Sequence, residues 1–218
     1  MLDVVRFVRQ LSHDLRNHLN AAELQSAYLG EIVAEAESKE EVQRLRAMLG
    51  EMGTSLQKLT NSIAQVKLTT MPYEASALTE DLRKKVDATF PETKHSVQWD
   101  ERASDAVIES DPQILQEALL ELFANAFLHE RGEGPVVATA ATDQTHFTFT
   151  LREPKKDFET STENWGREPF AKMKHGHYGL GLPRVRSIIE AHGGTFTARY
   201  DNQTSELVTT VALPLNQA

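Results

Sequence analysis

Residues 11–20 read Leu-Ser-His-Asp-Leu-Arg-Asn-His-Leu-Asn and lie inside a long stretch with helical periodicity. His13 is two residues from both Leu11 and Leu15, which at about 100° per residue places it about 200° from each. The imidazole is therefore predicted to point away from the apolar face of the helix. That face is formed by apolar or small residues spaced by three, four or their sums, namely Val4, Val8, Leu11, Leu15, Leu19, Ala22, Leu29, Val33 and Ala36.

The neighbours of His13 are suited to chemistry at its ring. Asp14 adjoins it, and Asn17 lies four residues on, which places it beside His13 on the helix surface. A histidine held on a rigid helix next to an acid and an amide can take part in proton or phosphoryl transfer. The alternative is that His13 is an ordinary solvated helix residue, and this stretch alone leaves both readings open.

The first 70 residues are predicted to form two helices. The first runs to about Ser38, residues 38–41 form a connection in which Ser38 and Glu41 make a capping box, and the second ends near Thr70. Two amphipathic helices joined in this way make an antiparallel hairpin. One hairpin buries only part of its apolar stripe, so we predict a homodimeric four-helix bundle. The alternative is that the stripe packs on the rest of the chain.

Composition limits the class of protein. The 218 residues suffice for one large or two small domains, and the net charge of -9 argues against a nucleic-acid partner. The absence of cysteine excludes disulfides and thiolate chemistry. No apolar run reaches the length of a membrane span and the N-terminus lacks a signal-peptide pattern. These features predict a cytoplasmic protein that receives its input from a partner, such as a separate sensor or an upstream kinase.

After Pro72 the pattern changes from helical to mixed, so we place a domain boundary between residues 70 and 71 and predict an α+β fold for the whole chain. Residues 153–178 are predicted to be a long polar loop. Helices are predicted over residues 75–90, 111–129 and 182–192, and strands over 96–100, 106–109, 136–141, 146–152, 195–200 and 206–214. The second of these helices is predicted to start with Asp111 as its N-cap and Pro112 at its first position, and the third to end at Gly193-Gly194.

Two groups of residues in this second domain suit a phosphate ligand. Glu121 and Asn125 lie one turn apart on one helix, where they can hold Mg²⁺, although an ordinary partly exposed helix face would look the same. Glycines 176, 179 and 181 directly precede a helix whose N-terminus carries partial positive charge, and Lys172, Lys174 and His175 are close by in sequence. Such a loop favours a polyphosphate, and the alternative is a loop that only closes over the sheet.

Four motifs in order resemble those of bacterial two-component sensor histidine kinases. Residues 12–17, Ser-His-Asp-Leu-Arg-Asn, resemble the phosphoacceptor box of the family. Asp-Pro at 111–112 followed by Glu-Leu-Phe-Ala-Asn-Ala at 121–126 resembles the asparagine box, and Glu-Pro-Phe at 168–170 the phenylalanine box. Gly179-Leu180-Gly181-Leu182, with His-Gly-Gly at 192–194, resembles the second glycine box.

The resemblance implies a helical dimerisation and phosphotransfer domain over residues 1–70. It implies an ATP-binding α/β sandwich of the gyrase and Hsp90 type over residues 71–218. In the family, ATP bound with Mg²⁺ phosphorylates the box histidine, here His13. The phosphoryl group then passes to an aspartate of a response-regulator receiver domain. Asp14 would accept the ring proton or orient the ring, and Asp14 and Asn17 can also help to hydrolyse the phospho-aspartate. Asn125 and Glu121 would hold the metal, while Gly176, Gly179, Leu180 and Gly181 would line the phosphate loop.

One family motif is absent. The first glycine box, Asp-x-Gly-x-Gly, is expected after the strand that ends near residue 152, where this chain reads Glu153-Pro154-Lys155-Lys156-Asp157. Glu153 stands at the position of the adenine-binding aspartate. The resemblance nevertheless favours an ATP-dependent histidine kinase with an unusual adenine pocket. Two alternatives stay open: a phosphotransferase or phosphatase that uses no ATP or other cofactor, and a non-catalytic dimeric scaffold or kinase regulator.

Overall fold

The computed structural model describes residues 2–93, 96–128, 131–156, 158, 161–167 and 179–216. Its helices and strands fall into two compact units. The first contains α1 (Leu2–Ile32) and α2 (Ala36–Ile63), which form a hairpin. Gly30 of α1 lies against Val42 of α2, where an added β-carbon would meet the valine methyl group at 3.5 Å. The predicted helical hairpin is therefore present.

The turn of the hairpin lies earlier than predicted. It occupies residues 33–35, and the expected connection at residues 38–41 is helical. The capping box is wrong: Glu35 is the N-cap, and it makes no side-chain capping hydrogen bond. Glu40 and Glu41 instead form ion pairs with Arg44 at 2.7 and 2.8 Å, as i,i+4 and i,i+3 pairs do within a helix. The end of α2 at Ile63, rather than near Thr70, is also earlier than expected.

The second unit is built on a mixed sheet. Three helices accompany it: α3 (Ala75–Thr89), α4 (Pro112–Leu128) and α5 (Gly181–Ala191). A two-stranded sheet pairs β1 (Met71–Glu74) with β3 (Val107–Ser110) in antiparallel fashion. The main sheet has the order β2-β4-β5-β7-β6, formed by β2 (Val97–Arg102), β4 (Val136–Thr142), β5 (His146–Pro154), β7 (Glu206–Pro214) and β6 (Thr195–Asp201). Among the strand pairs in the described part of this sheet, only β2–β4 is parallel.

One hydrophobic core lies between the helices and the main sheet. Alternate residues of β5, including Phe147, Phe149 and Leu151, are buried, because successive side chains of a strand point to opposite faces. Phe123 of α4 packs on Phe149 with ring centroids 6.1 Å apart. Buried residues of α4, such as Leu119 and Phe123, are separated by about one helical turn, so they form one apolar face that the sheet covers.

Two parts of the second unit differ from the prediction. The segment Met71–Glu74, which directly follows the predicted domain boundary and was assigned to no strand, is strand β1, which pairs with β3 far along the chain. The predicted loop that starts at Glu153 begins later, because Glu153 and Pro154 belong to β5 and pair with Leu207 and Glu206 of β7. No helix in the described part of the chain combines the length and apolarity needed to cross a lipid bilayer.

Candidate functional site

His13 projects from α1 into solvent, as the spacing predicted, with its side chain 68% exposed. Its Nδ1 atom lies 3.2 Å from Oδ1 of Asp14, and Gln10 one turn earlier donates to the same oxygen at 3.0 Å. The hydrogen bond from His13, followed by that from Gln10, holds the pKa of Asp14 below its ordinary value. Asp14 is therefore a charged acceptor beside the imidazole.

This arrangement selects the nucleophilic atom of the ring. A neutral imidazole has one N–H donor and one acceptor nitrogen. When Nδ1–H donates to Asp14, Nε2 carries the lone pair and lies on the far side of the ring. Asn17 contacts the same Nδ1 at 3.4 Å through its amide nitrogen, a longer contact that requires the opposite tautomer. The shorter contact to a charged acceptor favours Nε2 as the nucleophile.

Two residues around His13 have contacts that the sequence reasoning did not predict. Gln10 supports Asp14, a contact that its i,i+4 spacing could have indicated. Arg16, three residues after His13, donates to Oε1 of Gln57 on α2 at 2.7 Å. Its guanidinium therefore ties the two helices of the hairpin together, a role that depends on the register between them.

Glu121 and Asn125 lie together on α4, as predicted. The amide nitrogen of Asn125 donates to the backbone oxygen of Glu121 at 2.7 Å and to its Oε1 at 3.3 Å. This orientation directs Oδ1 of Asn125, the atom that a magnesium ion would bind, away from those contacts. Within the described residues no group of three or more acidic, histidine or cysteine side chains gathers into a metal site. The metal role of these two residues stays a prediction.

The start of α5 lies against the carboxylate of Glu121. A β-carbon at Gly181, the first residue of α5, would clash with Oε1 of Glu121, so a larger residue there requires the Glu121 side chain to move. Gly179 has a φ of 64°, the left-handed region that glycine adopts without strain, and Leu180 between them is buried. Lys172, Lys174 and Gly176 of the predicted phosphate loop, and the whole of 168–170, lie outside the described residues.

The start of α4 is held from three directions. Asp111 caps it, with Oδ1 accepting from the backbone N–H of Ile114 at 3.2 Å and Oδ2 accepting from that of Thr69 at 2.9 Å. The backbone N–H of Asp111 donates to Nε2 of buried His192 at 3.0 Å. The other ring nitrogen of His192 lies 2.7 Å from the backbone oxygen of Ile188. The cap was predicted, whereas the histidine contact between α4 and the end of α5 was not.

Glu153 is buried beside Lys155. The two side chains are 6% and 5% exposed, and Lys155 Nζ lies 2.8 Å from Glu153 Oε2. Burial raises the pKa of Glu153, and the lysine charge offsets part of that rise. Lys155 therefore pairs with the glutamate that stands at the adenine-binding position.

Residues 110–217 match the family of histidine kinase-, DNA gyrase B-, and HSP90-like ATPases. The sensor histidine kinase ZraS of Escherichia coli K12 is 24% identical over 189 residues, which cover 85% of this chain and 40% of ZraS. The chain is a histidine kinase-like protein of the two-component class. It spans about two fifths of the length of ZraS.

Solved histidine kinases share the fold of this histidine kinase-like chain. Full-length ShkA in complex with AMPPNP superposes with a TM-score of 0.74 at 20% identity, over 98% of this chain and 46% of ShkA. The Acinetobacter baumannii kinase AdeS gives 0.55 at 19% identity, over 94% of this chain and 98% of that structure. The catalytic domain of ThkA gives 0.54 at 21% identity over 67% of this chain and 97% of that domain.

The residues of this histidine kinase-like chain fit one end of an ATP molecule and not the other. Glu121, Asn125 and Gly181 suit a metal-bound phosphate group, because they bring an acid, an amide and a helix N-terminus together. At the adenine end, Lys155 stands where the family has glycine, and its ammonium engages the carboxylate that would accept from the base. The adenine end therefore does not fit the base.

Proposed function

We propose that this chain carries a phosphoryl group on Nε2 of His13 and exchanges it with an aspartate of a response-regulator receiver domain. The observation that carries the proposal is the exposed His13 ring whose Nδ1 faces the charged carboxylate of Asp14. The two-component class of the chain is a second reason to propose this function.

The chemistry follows from the ring geometry. Nε2 attacks the phosphorus of an aspartyl phosphate, so the N–P bond forms, the O–P bond breaks and the receiver carboxylate leaves with the electron pair. The ring gains positive charge in that step, and Asp14 stabilises it while holding Nδ1–H. Transfer to a second receiver is the reverse of this reaction. The part of Asn17 in hydrolysis of a phospho-aspartate stays a prediction.

A second candidate is ATP-dependent autophosphorylation of His13. The match to the ATPase family and the contact of Glu121 with Asn125 and Gly181 favour it. The misfit at Glu153 and Lys155 places it second. In both cases we propose that the chain acts in the cytoplasm as a homodimer formed by the hairpin, with a receiver domain as its partner.

The test is transfer of radioactive label to the purified chain. A panel of receiver domains phosphorylated on aspartate serves as one donor, and γ-labelled ATP with Mg²⁺ as the other. We expect acid-labile label on the wild type from a receiver, and none on His13→Ala. His18→Ala is the matched control, because His18 is an exposed histidine of the same helix, and it should label normally. Asp14→Asn should slow labelling by about 10²-fold or more, the usual size of such catalysis.

The donors separate the two candidates. Label from a receiver alone supports phosphotransfer, and label from ATP on the same histidine supports autophosphorylation. Labelling that survives in His13→Ala, or no labelling by either donor with folded protein, contradicts the proposed role of His13.

A further inference from the structure

The segment around Glu153 and Lys155 has a simple geometric basis for its ion pair. Glu153 lies near the end of β5, and Lys155 directly follows the strand and forms an isolated bridge with Arg131. Side chains two residues apart along this extended segment point to the same face of the sheet. That face is the buried one, because buried Phe149 and Leu151 alternate with residues that are only partly buried or exposed. An acid and a lysine forced onto a buried face are stabilised by pairing with each other, which matches the 2.8 Å contact.

The backbone of this segment is held on both sides. The N–H of Gly132 donates to the oxygen of Pro154 at 2.8 Å, and the N–H of Lys155 donates to the oxygen of Ser205 at 2.9 Å. Gly132 is so close that an added β-carbon would meet the backbone of Lys155 at 3.0 Å. The segment is therefore fixed between two neighbours, and Lys155 cannot be withdrawn by a small shift of its backbone.

The pair removes both features that an adenine base needs here. A carboxylate that accepts from an amino group of the base must be available, yet that of Glu153 is engaged by an ammonium. The glycine that leaves room beside the base is replaced by Lys155, whose four-carbon side chain is almost fully buried. Admission of a base would separate two buried charges and leave Glu153 without its partner.

We propose that the Glu153–Lys155 ion pair occupies the adenine end of the former nucleotide site, and that this domain folds and functions without binding an adenine nucleotide. The inference concerns a site separate from His13 and does not rest on the proposed function. Its readout is nucleotide binding, so its failure is distinguishable from a failure of phosphotransfer at His13.

The experiment titrates the full chain into a fluorescent ADP carrying a methylanthraniloyl group on its ribose, with Mg²⁺, and follows anisotropy. We expect no saturable binding by the wild type up to about 1 mM. The double variant Glu153→Asp with Lys155→Gly provides the acid and the glycine of the family motif. It should bind at least about tenfold more tightly than the wild-type limit.

Lys156→Gly is the matched control, since it removes the same charge from an exposed position one residue on, and it should not bind. Circular dichroism and thermal unfolding establish that each variant is folded. If the glycine variant does not fold, Glu153→Asp with Lys155→Ala takes its place.

Each outcome decides the proposal. Gain of binding by the double variant alone supports exclusion by the ion pair. Saturable binding by the wild type overturns the proposal. Failure of the folded double variant to gain binding, or an equal gain by Lys156→Gly, overturns the assignment of exclusion to this pair.

Discussion

The buried lysine beside Glu153 makes a specific prediction about stability. Lys155→Met keeps most of the side-chain volume but leaves Glu153 buried without its cation. Removal of one partner of a buried ion pair costs about 3–5 kcal/mol of unfolding free energy. We expect a loss of that size near neutral pH, measured by urea denaturation. An unchanged midpoint would contradict the structural account of the pair.

The pH dependence of that loss has a definite sign. The pKa of Glu153 is already raised by burial, and without Lys155 the rise must be larger. An acid with a raised pKa in the folded state binds more protons folded than unfolded, so stability falls as pH rises through that range. The deficit of Lys155→Met should therefore shrink as pH is lowered from about 7 towards the ordinary pKa of a glutamate. Glu153→Leu with Lys155→Met should lose this pH dependence.

For single residues, the sequence predicted the orientation of a side chain better than it predicted the contacts of that side chain. The exposure of His13 follows from its angle to Leu11 and Leu15, which is a property of any α-helix. The ion pair of Lys155 was not predicted, because its partner depends on which face of β5 is buried and how far that strand extends. The resemblance to the family showed that the first glycine box is absent at residues 153–157. It did not predict which side chain occupies the space of the missing glycine.

The cap at the N-terminus of α4 contributes to the free energy of unfolding, and this contribution can be measured. Asp111→Ala removes the acceptor for the backbone N–H of Ile114 and for that of Thr69. We expect a loss of about 1–2 kcal/mol in unfolding free energy, with Asp111→Asn intermediate because it keeps one carboxyl-like oxygen. Asp105→Ala, at an exposed aspartate that accepts from the hydroxyl of Ser76, is the control. An equal effect of both alanine variants would refute the capping account.

Elements were predictable where their signals are local. The Asp-Pro start of α4 and the Gly-Gly end of α5 are encoded within a few residues, and both are found, with Gly193 at a φ of 73°. Strand β1 was missed because its pairing partner β3 lies far along the chain. The hairpin turn was misplaced because contacts between α1 and α2, such as Gly30 on Val42, decide it.

The hairpin exposes more apolar surface than a stable monomer usually leaves in water. Leu24 is 76% exposed and Met52 56%, and both lie on its helices with several further large apolar residues. We expect the wild type to elute with twice its mass of 24.4 kDa in light scattering after size exclusion. Leu24→Glu with Met52→Glu should shift it to the monomer, whereas Gln25→Glu, at an exposed polar position, should not. A wild-type monomer at micromolar concentration would contradict the bundle.

The order of strands in the main sheet could not be derived from periodicity. Alternation marks which residues of β4 and β5 are buried, but the order β2-β4-β5-β7-β6 depends on pairings between distant segments. Motif resemblance provided the expectation of a kinase-type sandwich, and the superposition on ShkA bears out that fold. The nucleotide-binding property that usually accompanies the fold cannot be inferred from the fold alone, because single side chains determine it.

Localisation of the phosphoryl group tests the central claim most directly. A chain phosphorylated by a receiver domain would be examined by mass spectrometry of its peptides and by ³¹P NMR of the intact protein. We predict one phosphohistidine, at His13 and linked through Nε2, because Nδ1 is held by Asp14. A phosphoryl group on another residue, or on Nδ1 of His13, would contradict this account of the site.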